Sequence, residues 1–209
     1  MRQLGEHRLS GRMTDLALTD VRGILAAHQP RIITPTAKHA AVAAVLHEPI
    51  GGSPELLFIE RAEHPLDPWS GHMAFPGGRV DPGDATPRHA AERETLEEVG
   101  LALANAELLG RLDDVEGAPP GFDSLVVSAF VYHLPTRVPA TLNYEVRDAL
   151  WVPLPALADA ARRVPFYWPR GQQETHYPGI LVGHPERHVV WGLTYRFLEI
   201  FFTALGRQL

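Results

Sequence analysis

The stretch from Gly77 to Leu101, GGRVDPGDATPRHAAERETLEEVGL, constrains this chain more than any other. Thr86 can cap a helix through its hydroxyl, and Pro87 suits the first helical position, where no amide hydrogen is required. Gly100 can take the left-handed conformation that ends a helix. Between them lies an Ala- and Glu-rich run of good helix formers. On the predicted helix Glu94, Glu97 and Glu98 fall at i, i+3 and i+4, so three carboxylates share one face. Arg93 reaches Glu97 at i+4, but one guanidinium does not neutralise three carboxylates. A hard divalent cation bound through oxygens does, and Mg²⁺ that keeps waters and substrate phosphates suits this ligand set. The plain alternative is a solvated acidic helix face. Two features weigh against it. Gly77-Gly78, read as a turn, lets backbone approach a ligand closely. The acids also lie toward the helix C-terminus, where the macrodipole disfavours anions.

Gly78, five residues, Asp84, eight residues, then Arg93-Glu94-Thr95-x-Glu97-Glu98-x-Gly100-Leu101 resembles the Nudix box. The family pattern is Gly, five residues, Glu, seven residues, then Arg-Glu-U-x-Glu-Glu-x-Gly-U, with U apolar. Here Asp84 replaces Glu, one extra residue precedes Arg93, and Thr95 takes the first apolar position. The first two departures also occur in the coenzyme A pyrophosphatase-like branch of that family. The resemblance implies a Nudix αβα sandwich, an α/β (mixed α+β) fold with a mixed central sheet between helices. It places the box at 78–101 within one domain spanning 14–209, after a flexible N-terminus at 1–13.

Bulk properties agree with such a domain. At 209 residues the chain is long enough for one domain with a sizeable core. A net charge of −6 argues against binding a nucleic-acid backbone. The absence of cysteine excludes disulfides, thiolate metal sites and a thiol nucleophile, and fits a cytoplasmic location. No apolar run is long enough to span a bilayer as a helix, so no membrane partner is expected. The expected partner is a small nucleotide substrate, and a homodimer is allowed.

Taken in order, the chain predicts a helix at Asp20–His28 capped by Thr19. Strands follow at Lys38–His47, Glu55–Arg61 and His72–Phe75. After the box, strands are expected at Glu107–Asp113, Ser124–His133, Ala149–Val152 and His188–Trp191. Val115–Asp123 reads as a loop, and Pro155–Arg163 as a helix. A last helix is expected to be capped by Thr194. Residues 163–186, rich in Pro, Gly, Tyr and Trp, carry no clear pattern. His184 and His188 stand four apart in a proline-containing loop rather than on a helix.

Outside the box, Leu57-Phe58-Ile59-Glu60-Arg61-Ala62, then Gly71 and Phe75-Pro76-Gly77-Gly78, resembles the upstream motif of the coenzyme A branch. Leu66 stands roughly where that motif has a basic residue. Arg61 is a candidate phosphate ligand, since a guanidinium binds phosphate bidentately. Trp191-Gly192-Leu193-Thr194 also resembles the branch, and its physics is packing plus a cap. Glu145 sits where many Nudix proteins carry a loop carboxylate. The resemblance implies hydrolysis of a diphosphate with Mg²⁺ or Mn²⁺ held by Glu94, Glu98, Glu97 and the Gly78 carbonyl. Arg93 orients a glutamate, and the general base is one of Glu94, Glu97 and Glu145. Gly77, Gly78 and Arg61 face substrate. Coenzyme A or its acyl derivatives are the expected substrates. The alternatives are ADP-ribose or a dinucleotide on the same site, or a non-catalytic nucleotide-sensing module.

Overall fold

A computed structural model describes residues 16–34, 38–65, 69–117, 124–170 and 173–209. The expected flexible N-terminus, Leu66, and the second half of the Val115–Asp123 loop lie outside the described residues. The strand order begins from β1 (Lys38–His47) and β2 (Glu55–Arg61), each with the bounds its sequence predicts. They pair antiparallel only at one end, where Leu46 faces Leu56 and His47 faces Glu55. Beyond that point they splay. Residues 73–79 fill the wedge. Within it β3 (Met73–Ala74) pairs with β2, and β4 (Gly77–Arg79) pairs with β1. Gly77-Gly78 is therefore strand rather than the expected turn, held by Val42 and Ala41 of β1 as its register partners. The two glycines sit in the mouth of the wedge, and that position sets the site.

The other flank of β1 pairs in parallel with β7 (Leu125–His133), which in turn carries β5 (Glu107–Arg111) and β6 (Val115–Gly117). Val115–Gly117 is thus an edge strand where a loop was expected. The far side of β2 pairs with β8 (Val146–Pro153), longer than the predicted Ala149–Val152. One parallel pair among antiparallel ones makes the sheet mixed, as the resemblance implied. Residues 163–186, patternless in sequence, contain most of a hairpin. Its strands β9 (Arg163–Arg170) and β10 (Gln173–Leu181) form a small second sheet with β11 (Val189–Trp191). Pro165, Pro178 and Gly179 interrupt its alternating pattern, so local pattern did not expose it.

Helices cover both faces of the main sheet. On one face lies α2 (Pro87–Val99), packed on Ala41, Ala43, Val45, Leu57 and Ile59 through Ala90, Ala91 and Val99. Alanine against alanine lets this helix approach the sheet closely. The other face carries α1 (Leu18–Ala27), α3 (Leu154–Ala158) and α4 (Gly192–Ala204) over a larger core that includes Phe58, Phe197, Leu198, Phe201 and Phe202. The α2 ends are as the sequence predicts. Thr86 Oγ1 accepts from the His89 amide at 3.2 Å, and Gly100 takes φ 70°.

The other caps differ. Helix α1 begins at Leu18 because Leu16 and Leu18 are both buried, and Asp20 accepts from the Ala17 amide, so Thr19 lies inside it. Helix α4 begins at Gly192, after Trp191 stacks on Phe166 with centroids 4.1 Å apart, so Thr194 is in its first turn rather than at its cap. The expected Pro155–Arg163 helix is α3 followed by a separate 3-10 turn at Ala160–Arg162. Among the described residues, no helix is long and apolar enough to cross a membrane.

Candidate metal and diphosphate site

The three box glutamates share a helix but not an environment. Glu98 is 2% exposed and its Oε2 accepts from the Gly77 amide at 2.8 Å. Its depth follows from the close packing of α2 on the alanines of β1. Burial pushes its carboxyl up to about 8; the Gly77 amide and the Arg61 charge act against this, while Glu94 and Glu145 add to it. Glu94 is mostly buried over Gly78 and is raised by the same burial, opposed by Arg93 and reinforced by Glu97 and Glu145. Glu97 is the exposed member.

Helix spacing alone does not bring Glu145 here. Its loop does so by hydrogen bonding to the end of α2. The Asn143 amide donates to the Glu98 carbonyl at 3.1 Å, and the Thr141 amide to that of Val99 at 2.9 Å. Arg61 enters from the end of β2, where the register shifts between Glu60 and Arg61. Such a bulge re-aims a side chain.

Arg93 does more than pair along the helix. Its Nε and Nη2 grip both oxygens of Asp84 at 3.1 and 3.0 Å, a fork that holds the Asp84 carboxyl below its ordinary range. Its Nη2 also donates to the Arg79 carbonyl at 3.2 Å. Nη1 then donates to Glu94 at 3.0 Å and Glu97 at 3.3 Å. The expected contact with a glutamate is present, but the bidentate partner is the aspartate that replaces the family's usual Glu. Arg93 thereby ties the strand-to-helix loop to the two acids. Lysine has no fork. Arg93→Lys is expected to lower turnover roughly tenfold at fixed metal concentration, within the range for groups that orient metal ligands. Wild-type rates in steady-state assays of that variant would make Arg93 a surface partner only.

The donor set fits a hard cation. Glu94, Glu97, Glu98 and Glu145 oppose one another electrostatically, and Arg61 and Arg93 are the cations acting on Glu98 and Glu94. The glycine backbone runs so close that a Cβ on Gly78 would overlap Glu94 Oε1. All these donors are oxygens, the preference of Mg²⁺ and Mn²⁺.

A second cluster lies on the opposite face of β2. Glu60, Asp148 and His188 form a trio with ligand atoms within 4.8 Å of one another. Its chemistry is that of an internal ion pair. Arg187 reaches the buried Glu60 at 3.0 Å, and His188 Nε2 lies 3.1 Å from it. His188 Nδ1 accepts from the His184 amide at 2.9 Å, so the ring proton sits on Nε2 and points at Glu60. The network pins the loop before β11 to the strand that carries Arg61. The sequence signal for Glu60 is its phase: Leu56, Phe58 and Glu60 alternate onto the same core face. Asp113 and Asp114 also serve structure. Asp114 is fully buried against Arg111 and accepts from the Ile33 amide, while Asp113 accepts from the Arg31 amide.

A family model described as the NUDIX domain matches residues 37–169. The chain belongs to the Nudix family. It is 31% identical over 173 residues to the uncharacterised Nudix hydrolase NudL of Yersinia enterocolitica, covering 79% of this chain and 80% of that one. It is 30% identical over 157 residues to the mitochondrial coenzyme A diphosphatase NUDT8 of Homo sapiens, covering 75% of this chain and 65% of that one. A Schizosaccharomyces pombe relative, 40% identical over 111 residues, is spanned over only 34% of its length. A solved MutT/nudix family protein from Enterococcus faecalis shares the fold, with TM-score 0.53, 16% identity and coverage of 90% of this chain and 69% of that one.

Proposed function

We propose that this Nudix chain hydrolyses the diphosphate linkage of a nucleoside diphosphate joined to another moiety. The observation that carries the reading is the Glu98 carboxylate, buried against the Gly77 amide amid Glu94 and Glu145. Mg²⁺ or Mn²⁺ would be held by Glu94 and Glu98, with Glu97 and the Gly78 carbonyl completing the set. When bound, such a cation neutralises charge on the phosphoryl oxygens and lowers the pKa of an attacking water. Arg93, locked on Asp84, orients Glu94 and Glu97. Arg61 approaches the same carboxylates from β2 and offers its guanidinium to a substrate phosphate. The water's proton passes to one of Glu94, Glu97 and Glu145.

Coenzyme A is the substrate we favour, giving 3′,5′-ADP and phosphopantetheine. The support is the upstream motif ending in Phe75-Pro76-Gly77-Gly78 and the similarity to a human protein named for that activity. The motif's basic residue is replaced by Leu66, so dependence on the 3′-phosphate is expected to be weak. Product analysis tests this with coenzyme A, 3′-dephospho-coenzyme A, ADP-ribose, NADH and diadenosine polyphosphates, each with Mg²⁺ and Mn²⁺. The expected result is cleavage of coenzyme A with less than a hundredfold preference in kcat/KM over the dephospho form. A preference above about a hundredfold, or roughly 2.7 kcal/mol, would reveal a strong 3′-phosphate site. Rapid cleavage of ADP-ribose with none of coenzyme A would remove the substrate assignment alone. No cleavage of any compound would remove the enzyme reading.

A further inference from the structure

Strands β2 and β8 do not stay in register to their ends. Glu60 faces Asp148, but the next residue, Arg61, faces Val146, so Arg147 is an extra residue on β8. The offset changes which side chains of β8 look toward α2. Ala149 and Trp151 pack on the core beneath that helix. Unbroken alternation would put Arg147 on the same side, directly opposite Arg61. Instead Val146 takes that place, buried in the same core. Just past the offset, the Glu145 carbonyl accepts from the Ala62 amide at 2.7 Å. A bulge interrupts the ladder, and the contacts of Arg147 show what holds this one.

Arg147 Nη1 lies 3.5 Å from Glu60 Oε1 and 3.8 Å from Glu63 Oε1. Glu63 is largely exposed, whereas Glu60 is 1% exposed and shares the core phase of Leu56 and Phe58. The Glu60 carboxylate is itself fixed by Arg187 at 3.0 Å and His188 at 3.1 Å. Such a network adds little stability over apolar packing, and the best-attested use of buried ionic groups is to fix register. Here the register decides what reaches the box carboxylates. With the offset, Arg61 is the guanidinium that β2 and β8 present to Glu98, and Glu145 joins the acids. Without it, a second guanidinium would stand beside Arg61 and repel a cation.

We propose that Glu60 and Arg147 are positioning residues for the diphosphate site: their ion pair, on the far face of β2, holds the one-residue offset that keeps the Arg147 cation away from the box carboxylates. The proposal rests on the metal-dependent reading above. Neither residue touches substrate or cation. Both act through the ladder, on Arg61 and on the Glu145 loop.

The test compares the wild type, Glu60→Gln, and Glu60→Gln combined with Arg147→Gln. Glutamine keeps the volume of Glu60 and removes the charge that holds Arg147. Amide hydrogen exchange of the metal-free chains reads the offset directly. The Ala62 amide should exchange at least about tenfold faster in Glu60→Gln, with the amides inside α2 unchanged. Should the buried charge be needed for folding, Arg147→Gln alone gives the same reading, since Glu60 then keeps Arg187 and His188. Calorimetry with Mg²⁺ reads the consequence. Affinity should fall about tenfold in Glu60→Gln, the lower end of the range for residues that orient metal ligands. It should return to within about threefold of wild type in the double variant, whose residue 147 carries no charge. That recovery separates the proposal from a merely structural role, in which the second substitution only adds damage. Unchanged Ala62 exchange in both single variants would overturn the proposal. So would wild-type Mg²⁺ affinity in Glu60→Gln, or a double variant as weak as the single one. A wild-type chain that binds no Mg²⁺ would remove the metal reading and this proposal with it. One that binds Mg²⁺ and cleaves no diphosphate compound, with the variants behaving as expected, would remove the enzyme reading and keep the positioning pair.

Discussion

Glu98→Gln is expected to lower turnover at least about a hundredfold at saturating Mg²⁺, with the fold intact. The size of the effect follows from losing metal-based charge stabilisation in the transition state. Glutamine has the volume of glutamate, and its carbonyl oxygen can still accept from the Gly77 amide. It lacks the charge that a hard cation requires. Stability should not suffer, because burial already disfavours the charged carboxylate at this position in the metal-free protein. Steady-state rates over a Mg²⁺ titration, with a thermal melt of the same preparation, test both halves. Wild-type turnover in the variant would refute the assignment of Glu98 as a ligand.

Two neighbouring glycines should respond very differently to the same substitution. Gly77 has φ 148°, and a Cβ there would overlap the Ala41 carbonyl oxygen and lie 2.6 Å from Val42 Cα. Backbone of a central strand cannot step aside. Gly77→Ala is expected to cost about 3 kcal/mol or more, from a strained conformation and overpacking together. For a chain of this length that is a fall in Tm of roughly 6–12 °C. The three atoms nearest a Cβ on Gly78 all belong to the end of the Glu94 side chain, with the carboxyl carbon at 2.5 Å. Glutamate can rotate away. Gly78→Ala should therefore keep its Tm within a few degrees and lose at least about tenfold in turnover, because the displaced carboxylate is a candidate ligand. Equal melts for the two variants would mean that the wedge between β1 and β2 is not packed as described. Full activity in Gly78→Ala would remove Glu94 from the site.

The layout of the candidate site was legible in the sequence to an unusual degree, because its core is local. One helix carries Glu94, Glu97 and Glu98 at fixed spacing. Thr86, Pro87 and Gly100 determine its ends through their own backbone and side-chain preferences, and the structure has those ends. Strands β1 and β2 were equally clear, since nearly continuous apolar runs bounded by turn residues need no distant partner to be read. Arg93 beside Glu94 and Glu97 also follows from helix geometry.

What the sequence left undecided depends on residues far apart in the chain. Gly77-Gly78 was read as a turn, because glycine pairs signal turns locally. Only the splaying of β1 from β2 opens the wedge that makes them a strand under the helix. Spacing places the three box acids on one face, yet only packing against Ala41 and Ala43 separates buried Glu98 from exposed Glu97. The Arg93 fork goes to Asp84 because the loop folds back across the helix. The hairpin at β9 and β10 is the exception, since its partners are close in the chain and Pro165, Pro178 and Gly179 obscure its alternation. Glu60 showed only its phase with Leu56 and Phe58; its partners, 127 and 128 residues away, had no local signature. Spacing within one helix is decided by its own backbone geometry. Burial and the partner of a charge are decided by which distant segments the core brings together.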